Sequence, residues 1–195
     1  MDYFDLVPKD QRWQNWILFS QSMKYGLRVR DRYADSVCVE CGKVNELSAL
    51  NSGIDCDVII KSKLDYLLTD DGIICASRRL IAVLHENSVV GFTDIPLPGD
   101  KSFSVLVPNL LVDIHESELN LEFIEPKCST CDRYREVIGT PYLLAMDLPK
   151  NPLALFYSKI WMENERNRVT WFRCTGLVAN ILKQEKIRGV EFEEC

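Results

Sequence analysis

Histidine is almost missing from this 195-residue chain, with only His85 and His115 present. Neither has an evident catalytic companion, and no serine stands in a GxSxG turn, so hydrolase triads find no support. Glycine loops that cradle phosphate, GxGxxG or GxxxxGK[ST], are also lacking. No apolar window approaches the length of a bilayer crossing. The start, Met1-Asp2-Tyr3-Phe4-Asp5, is acidic and lacks the basic-then-apolar order of a signal peptide. Basic residues are outnumbered, 23 Lys and Arg against 29 Asp and Glu, a formal net charge of −6. That balance disfavours nonspecific attraction to nucleic acid and suits a basic protein partner. These absences predict a soluble cytoplasmic protein that is not an enzyme, with neither nucleic acid nor membrane as partner.

Cysteine, by contrast, is present eight times in a chain that is 47% apolar, enough for one domain or two small ones. Cys38-Val39-Glu40-Cys41-Gly42 is a turn that presents two sulfurs, and Cys128-Ser129-Thr130-Cys131 repeats the spacing after 86 intervening residues, 42–127. Together they predict a structural Zn²⁺ held by Cys38, Cys41, Cys128 and Cys131. Two separate redox pairs, or unrelated thiols, are the competing readings. A reducing cytoplasm favours metal over cystine. The second knuckle is followed by Asp132 in place of glycine, the residue that turns most easily. Four sulfurs on one zinc leave no open position, so such a site would be structural. Cys75 and Cys174 lie in apolar runs and read as buried thiols; Cys56 and Cys195 also fall outside the pairs.

The pattern along the chain predicts an α+β fold. A strand is expected near Tyr3–Val7, a core aromatic segment at Trp13–Phe19, and a one-sided charged strand at Leu27–Tyr33. Then follow strand Val58–Ile60, turn Thr69-Asp70-Asp71-Gly72, strand Ile73–Ala76, an N-cap at Ser77, a helix with Leu80, Ile81, Val83 and Leu84 on one face and His85 on the polar side, and extended chain at Val89–Phe92. Pro96–Asp100 reads as a loop, Phe103–Val107 and Leu119–Ile124 as strands, and Leu155–Trp161 with Val169–Arg173 as a hairpin.

The cap, helix and strand return 98 residues later: Ser77 matches Thr175, Leu80 Val178, Val83 Ile181, Leu84 Leu182, Val89 Ile187 and Gly91 Gly189. This spacing predicts two diverged repeat halves, each strand-strand-helix-strand. Residues 1–100 would carry the first knuckle and 101–195 the second, joined by the shared four-cysteine zinc-knuckle site into one compact unit. Chance recurrence of strand-helix-strand phrases is the alternative. Glu116, Glu118, Glu122 and Glu125 form an acidic stretch, which reads as a solvated face or as a docking surface for a basic partner.

The two pairs, with the helix, glycine and strand endings Ser77–Phe92 and Thr175–Phe192, resemble the bacterial double-CxxCG proteins, grouped with immunity proteins of polymorphic and contact-dependent toxin systems. The second motif departs from the family pattern as CSTCD. The resemblance implies a cytoplasmic antitoxin that binds a cognate toxin, and it carries over no catalytic residue. A zinc-binding nucleic-acid-associated protein and a dithiol oxidoreductase are the alternative functions.

Overall fold

A computed structural model of the chain describes residues 1–9, 17–22, 26–55, 57–112, 121–124, 127–134, 136–139, 148–158, 162–163, 168–169 and 172–195. Its first part holds strands β1 (Tyr3–Pro8), β2 (Phe19–Ser22) and β3 (Gly26–Val29), a 3-10 turn at Asp31–Ser36, and helix α1 (Glu46–Asn51). Then come β4 (Tyr66–Leu68), β5 (Ile74–Ser77), helix α2 (Arg78–Glu86), β6 (Phe92–Leu97), β7 (Asp100–Pro108) and β8 (Leu111–Val112). The rest comprises β9 (Leu121–Ile124), β10 (Glu136–Gly139), β11 (Leu155–Ser158), β12 (Met162–Glu163), β13 (Arg168–Val169), β14 (Phe172–Thr175), helix α3 (Gly176–Gln184) and β15 (Val190–Glu194). The fold is mixed α+β.

Among the described residues the strands form four sheets, of which two build the body of the molecule: β4-β5-β7-β6 and β15-β1-β14-β11-β8. In the first, β7 lies between β5 and β6, antiparallel to both. In the second, β1 lies between β14 and β15, again antiparallel to both. The smaller sheets are β13-β12-β10-β9 and the hairpin β2-β3.

Both long helices start after an extended residue, Ser77 and Thr175, but only Ser77 makes the side-chain cap bond; the Thr175 hydroxyl donates to the Pro152 carbonyl instead. Ser77 stays extended and its hydroxyl accepts from the Leu80 N–H at 3.2 Å, satisfying one of the amides a helix start leaves open. The three- and four-residue spacing then buries Leu80, Val83 and Leu84 on α2 and Val178, Ala179 and Leu182 on α3, with Ile181 half-buried. After each helix one residue turns left-handed, Ser88 at φ 54° and Lys186 at φ 51°. These faces meet Leu6, Tyr66, Ala76, Phe92, Leu106, Leu155, Tyr157, Phe172, Cys174 and Val190 in one core shared by the two main sheets. A second core lies on the other side of β4-β5-β7-β6, where Ile17, Leu18, Tyr33, Val44, Leu50, Ile54, Val58 and Ile60 cover Leu67, Cys75 and Val105. Covered on both faces, Ile74, Cys75 and Ala76 of β5 are buried without alternation.

Several expectations shift. Val58–Ile60 is no strand: Val58 and Ile60 are core residues, and the Ile60 N–H is held at 2.8 Å by the Asp100 carboxylate, so β5 takes Tyr66–Leu68 as its neighbour. The arginine-bearing strand stops at Val29. Arg30 instead reaches Asp57 at 2.8 Å and Asp55 at 3.4 Å, and Arg32 reaches Asp55 at 3.1 Å. Pro96–Asp100 is a tight hairpin rather than a loop, since β6 runs through Leu97 and β7 begins at Asp100. Helix α1 had no expectation. The late hairpin divides into two antiparallel ladders in different sheets, β11 with β14, where Leu155 faces Cys174, and β12 with β13, where Glu163 faces Arg168. Of the aromatic segment, Ile17 and Leu18 are buried, while Trp13 and Trp16 lie outside the described residues.

Candidate metal centre

Each cysteine pair sits on a reverse turn closed by its own backbone. In the first, the Cys38 N–H donates to the Lys43 carbonyl at 2.8 Å and the Gly42 N–H to the Cys38 carbonyl at 2.8 Å. In the second, the Cys128 N–H donates to the Arg133 carbonyl at 2.8 Å and the Asp132 N–H to the Cys128 carbonyl at 2.9 Å. Both turns need a left-handed residue after the second cysteine, Gly42 at φ 74° and Asp132 at φ 54°. Aspartate enters that region more readily than most residues, so CSTCD closes the same turn as CVECG.

The fold brings the two turns face to face. Cys38 Sγ lies 3.7 Å from Cys128 Sγ, Cys41 Sγ 3.5 Å from Cys131 Sγ, and all four sulfurs fall within 4.8 Å of one another. A tetrahedron of Zn–S bonds requires sulfurs about 3.8 Å apart. These distances fit a metal, and all four cysteines are free thiols. Soft sulfur donors in a closed set of four suit zinc or another thiophilic ion. Cys41 is exposed and the others half-buried; a cleft of about 300 Å³ between Asn45, Ser48, Thr130 and Arg133 reaches Cys38 and Cys131 and offers an ion a way in.

The surroundings are reciprocal. The Lys43 ammonium donates to the Tyr134 carbonyl at 2.5 Å, and the Arg133 guanidinium donates to the Val44 carbonyl at 2.7 Å, each crossing from one knuckle to the other. Arg133 is also 3.6 Å from the buried Glu46 carboxylate. Two cations therefore stand beside four potential thiolates. Glu40, between the first two cysteines, accepts from Ser129 Oγ at 2.8 Å and Thr130 Oγ1 at 2.6 Å, which holds its carboxyl below the usual range.

The thiols themselves titrate apart. Backbone N–H groups of Cys41 and Glu40 lower Cys38 to about 7, whereas burial and then the neighbouring thiols push Cys131 up to about 12. Four thiolates cannot share this space without a compensating cation, the electrostatic condition that a bound metal relieves.

The other sequence candidates that fall among the described residues lie elsewhere. Cys75 and Cys174 are fully buried, and burial drives both thiols far above their ordinary value. His85 projects from the polar side of α2, 3.0 Å from Asp94. Glu122 is on β9, opposite Ile138, while Glu116, Glu118, Glu125 and His115 lie outside the described residues. Lys43, Arg133 and Glu40 escaped the sequence reading, although a basic residue two places after each CxxC was visible in it. Among the described residues no helix is long and apolar enough to cross a membrane. Comparison with family models, curated proteins and solved structures gives no match.

Proposed function

We propose that this chain is a zinc-stapled immunity protein that neutralises a cognate toxin by covering the toxin's functional surface. The observation that carries the reading is the gathering of Cys38, Cys41, Cys128 and Cys131 within 4.8 Å, the double-CxxC signature of the family that the chain resembles. Zinc closed by four thiolates keeps no position for water, so its contribution is to fix the shape of the surrounding surface. The net charge of −6 favours a basic partner, such as a toxin that acts on nucleic acid, and would speed and orient the encounter.

The knuckles belong, in this reading, to two diverged repeats, residues 1–100 and 101–195. The recurrence of cap, helix, left-handed residue, glycine and strand at a spacing of 98 supports it. The cytoplasm suits four reduced thiols. Inhibitors of this type bury an interface on the order of 1,600 Å². Glu116, Glu118, Glu122 and Glu125 are the acidic positions to test there first. A dithiol-exchange reading has the lowered Cys38 thiol on its side, but four crowded sulfurs favour the metal.

Co-expression with the product of the neighbouring gene tests the proposal. Protection of the cell together with a stable complex is the expected result. No protection and no complex rejects the immunity reading, and protection without a complex points to an enzymatic antidote.

A further inference from the structure

We propose that the chain is a strand-exchanged pseudo-dimer: two copies of one four-stranded unit, related by an approximate twofold axis through the four-cysteine centre. In the second copy β1 holds the place that β7 holds in the first. The proposal rests on the duplication reading above and specifies its geometry.

Strand order comes first. One unit runs β4-β5-β7-β6 and the other, apart from β8 paired in parallel at its edge, β11-β14-β1-β15. In each, the strand before the helix and the strand after it flank a central antiparallel strand. That central strand follows directly in sequence in the first unit and comes from the opposite end of the chain in the second.

The registers then agree pair by pair. Phe92 faces Pro108, and Val190, 98 residues on, faces Pro8. Asp94 faces Leu106, and Phe192 faces Leu6. Cys75 faces Val105 and Ser77 faces Phe103; Arg173 faces Asp5 and Thr175 faces Tyr3. From Phe103 to Pro108 each β7 residue thus corresponds to the β1 residue 100 places earlier, and both strands end in Leu-Val-Pro, 106–108 and 6–8. The strands beside β5 and β14 repeat their facing as well, Tyr66 opposite Ala76 and Leu155 opposite Cys174. Backbone bonds outside the ladders repeat as well: Asn109 N–H to Gly91 carbonyl and Lys9 N–H to Gly189 carbonyl, both 3.0 Å. A chance recurrence of strand-helix-strand phrases would not fix register, because a slip of one residue turns every side chain to the other face.

Reciprocity supplies the axis. In a twofold interface, if i of one copy touches j of the other, then j of the first touches i of the second. A Cβ on Gly91 would strike the Leu155 carbonyl of the other unit, and one on Gly189 would strike the Tyr66 carbonyl, Leu155 and Tyr66 being counterparts. Lys43 to Tyr134 and Arg133 to Val44 exchange in the same way, as do the cysteine pairs 38 with 128 and 41 with 131. One axis therefore relates core, glycine contacts and sulfurs. The units have diverged where Cys75 and Val105 are replaced by the ion pair Arg173–Asp5, 2.6 Å apart, and where Ala154 beside Val90 stands for Asp65 beside Arg188.

A circular permutant tests the exchange. Cys195 lies beside Tyr3, its N–H donating to the Tyr3 carbonyl at 3.2 Å, so a Pro-Gly-Asp linker copied from residues 98–100 should join Cys195 to Met1 as β6 joins β7. With the chain reopened between Pro98 and Gly99, the expected product folds in one transition, keeps the metal content of the parent and melts within a few degrees of it. A soluble permutant lacking the second sheet or the metal overturns the proposal. Hydrogen exchange on the unaltered chain decides independently of whether the permutant folds: β1 amides should match β7 amides within about tenfold, as central strands do. A β1 that exchanges more than a hundredfold faster than β7 also overturns it. Neither readout involves a toxin, so failure here is separable from failure of the immunity reading.

Discussion

Asp132 occupies the left-handed region at φ 54°, where a side chain other than glycine ordinarily costs about 1 to 2 kcal/mol and aspartate somewhat less. Its ion pair with Lys127, at 3.6 Å and largely exposed, contributes little in return. Asp132→Gly is therefore expected to stabilise the protein by about 0.5 kcal/mol in denaturant titration at fixed zinc, the entropy of the freer unfolded chain cancelling part of the gain. Asp65 is the opposite kind of residue. Burial alone would raise its carboxyl, but the Arg188 backbone N–H at 2.9 Å, its guanidinium and the Ser77 hydroxyl hold it below the usual range. The native state then binds this proton less tightly than the unfolded chain. The contribution is complete above the ordinary carboxylate range, near pH 4, and is lost as pH falls through the lower native value. Asp65→Asn should lower the denaturation midpoint at neutral pH, with the gap from the parent closing under acid. Asp5 works in the reverse sense, since burial, partly offset by Arg173, raises it; its contribution is lost as pH rises through the native value. The four clustered cysteines were legible because spacing alone marks them. Asp65 was not, because its partner Arg188 is brought to it by the tertiary fold.

The elements were legible where local chemistry decides them. Ser77 as a cap and the apolar stripes of α2 and α3 follow from three- and four-residue periodicity, and Ser77→Ala should cost about 1 kcal/mol in thermal unfolding by orphaning the Leu80 N–H. Pairing was less legible. Nothing in Tyr3–Pro8 taken alone says that it lies between β14 and β15, since alternation identifies a strand but not its neighbours; the repeated Leu-Val-Pro was the available signal. At Gly91 and Gly189 the pairing has a steric test. An added Cβ would stand 1.7 Å from the Leu155 oxygen or 2.3 Å from the Tyr66 oxygen, both backbone, on residues already at φ 96° and 91°. Gly91→Ala and Gly189→Ala should each destabilise by more than about 3 kcal/mol, to similar extents, measured by chemical denaturation.

For the molecule as a whole, a metal held by the four clustered cysteines would link its binding to folding. A ligand at a thousand times its dissociation constant adds about 4 kcal/mol of stability, so chelation should lower the melting temperature, and zinc should restore it in proportion to the logarithm of its concentration. Cys38→Ser or Cys131→Ser should remove that dependence, as followed by calorimetry with and without chelator. The central position of β1 has a further consequence for how the protein is made. A ribosome releases this strand well before its two neighbours, β14 at Phe172–Thr175 and β15 at Val190–Glu194. At about 5 to 20 residues per second, the strand that carries Leu6 into the core waits on the order of ten seconds or more without a sheet to join. The β4-β5-β7-β6 sheet, complete by Pro108, can form in that interval and offer a template for the remainder. Nascent chains stalled before Phe172 should accordingly show a protease-resistant first sheet and an N-terminal strand still open to cleavage and to chaperones.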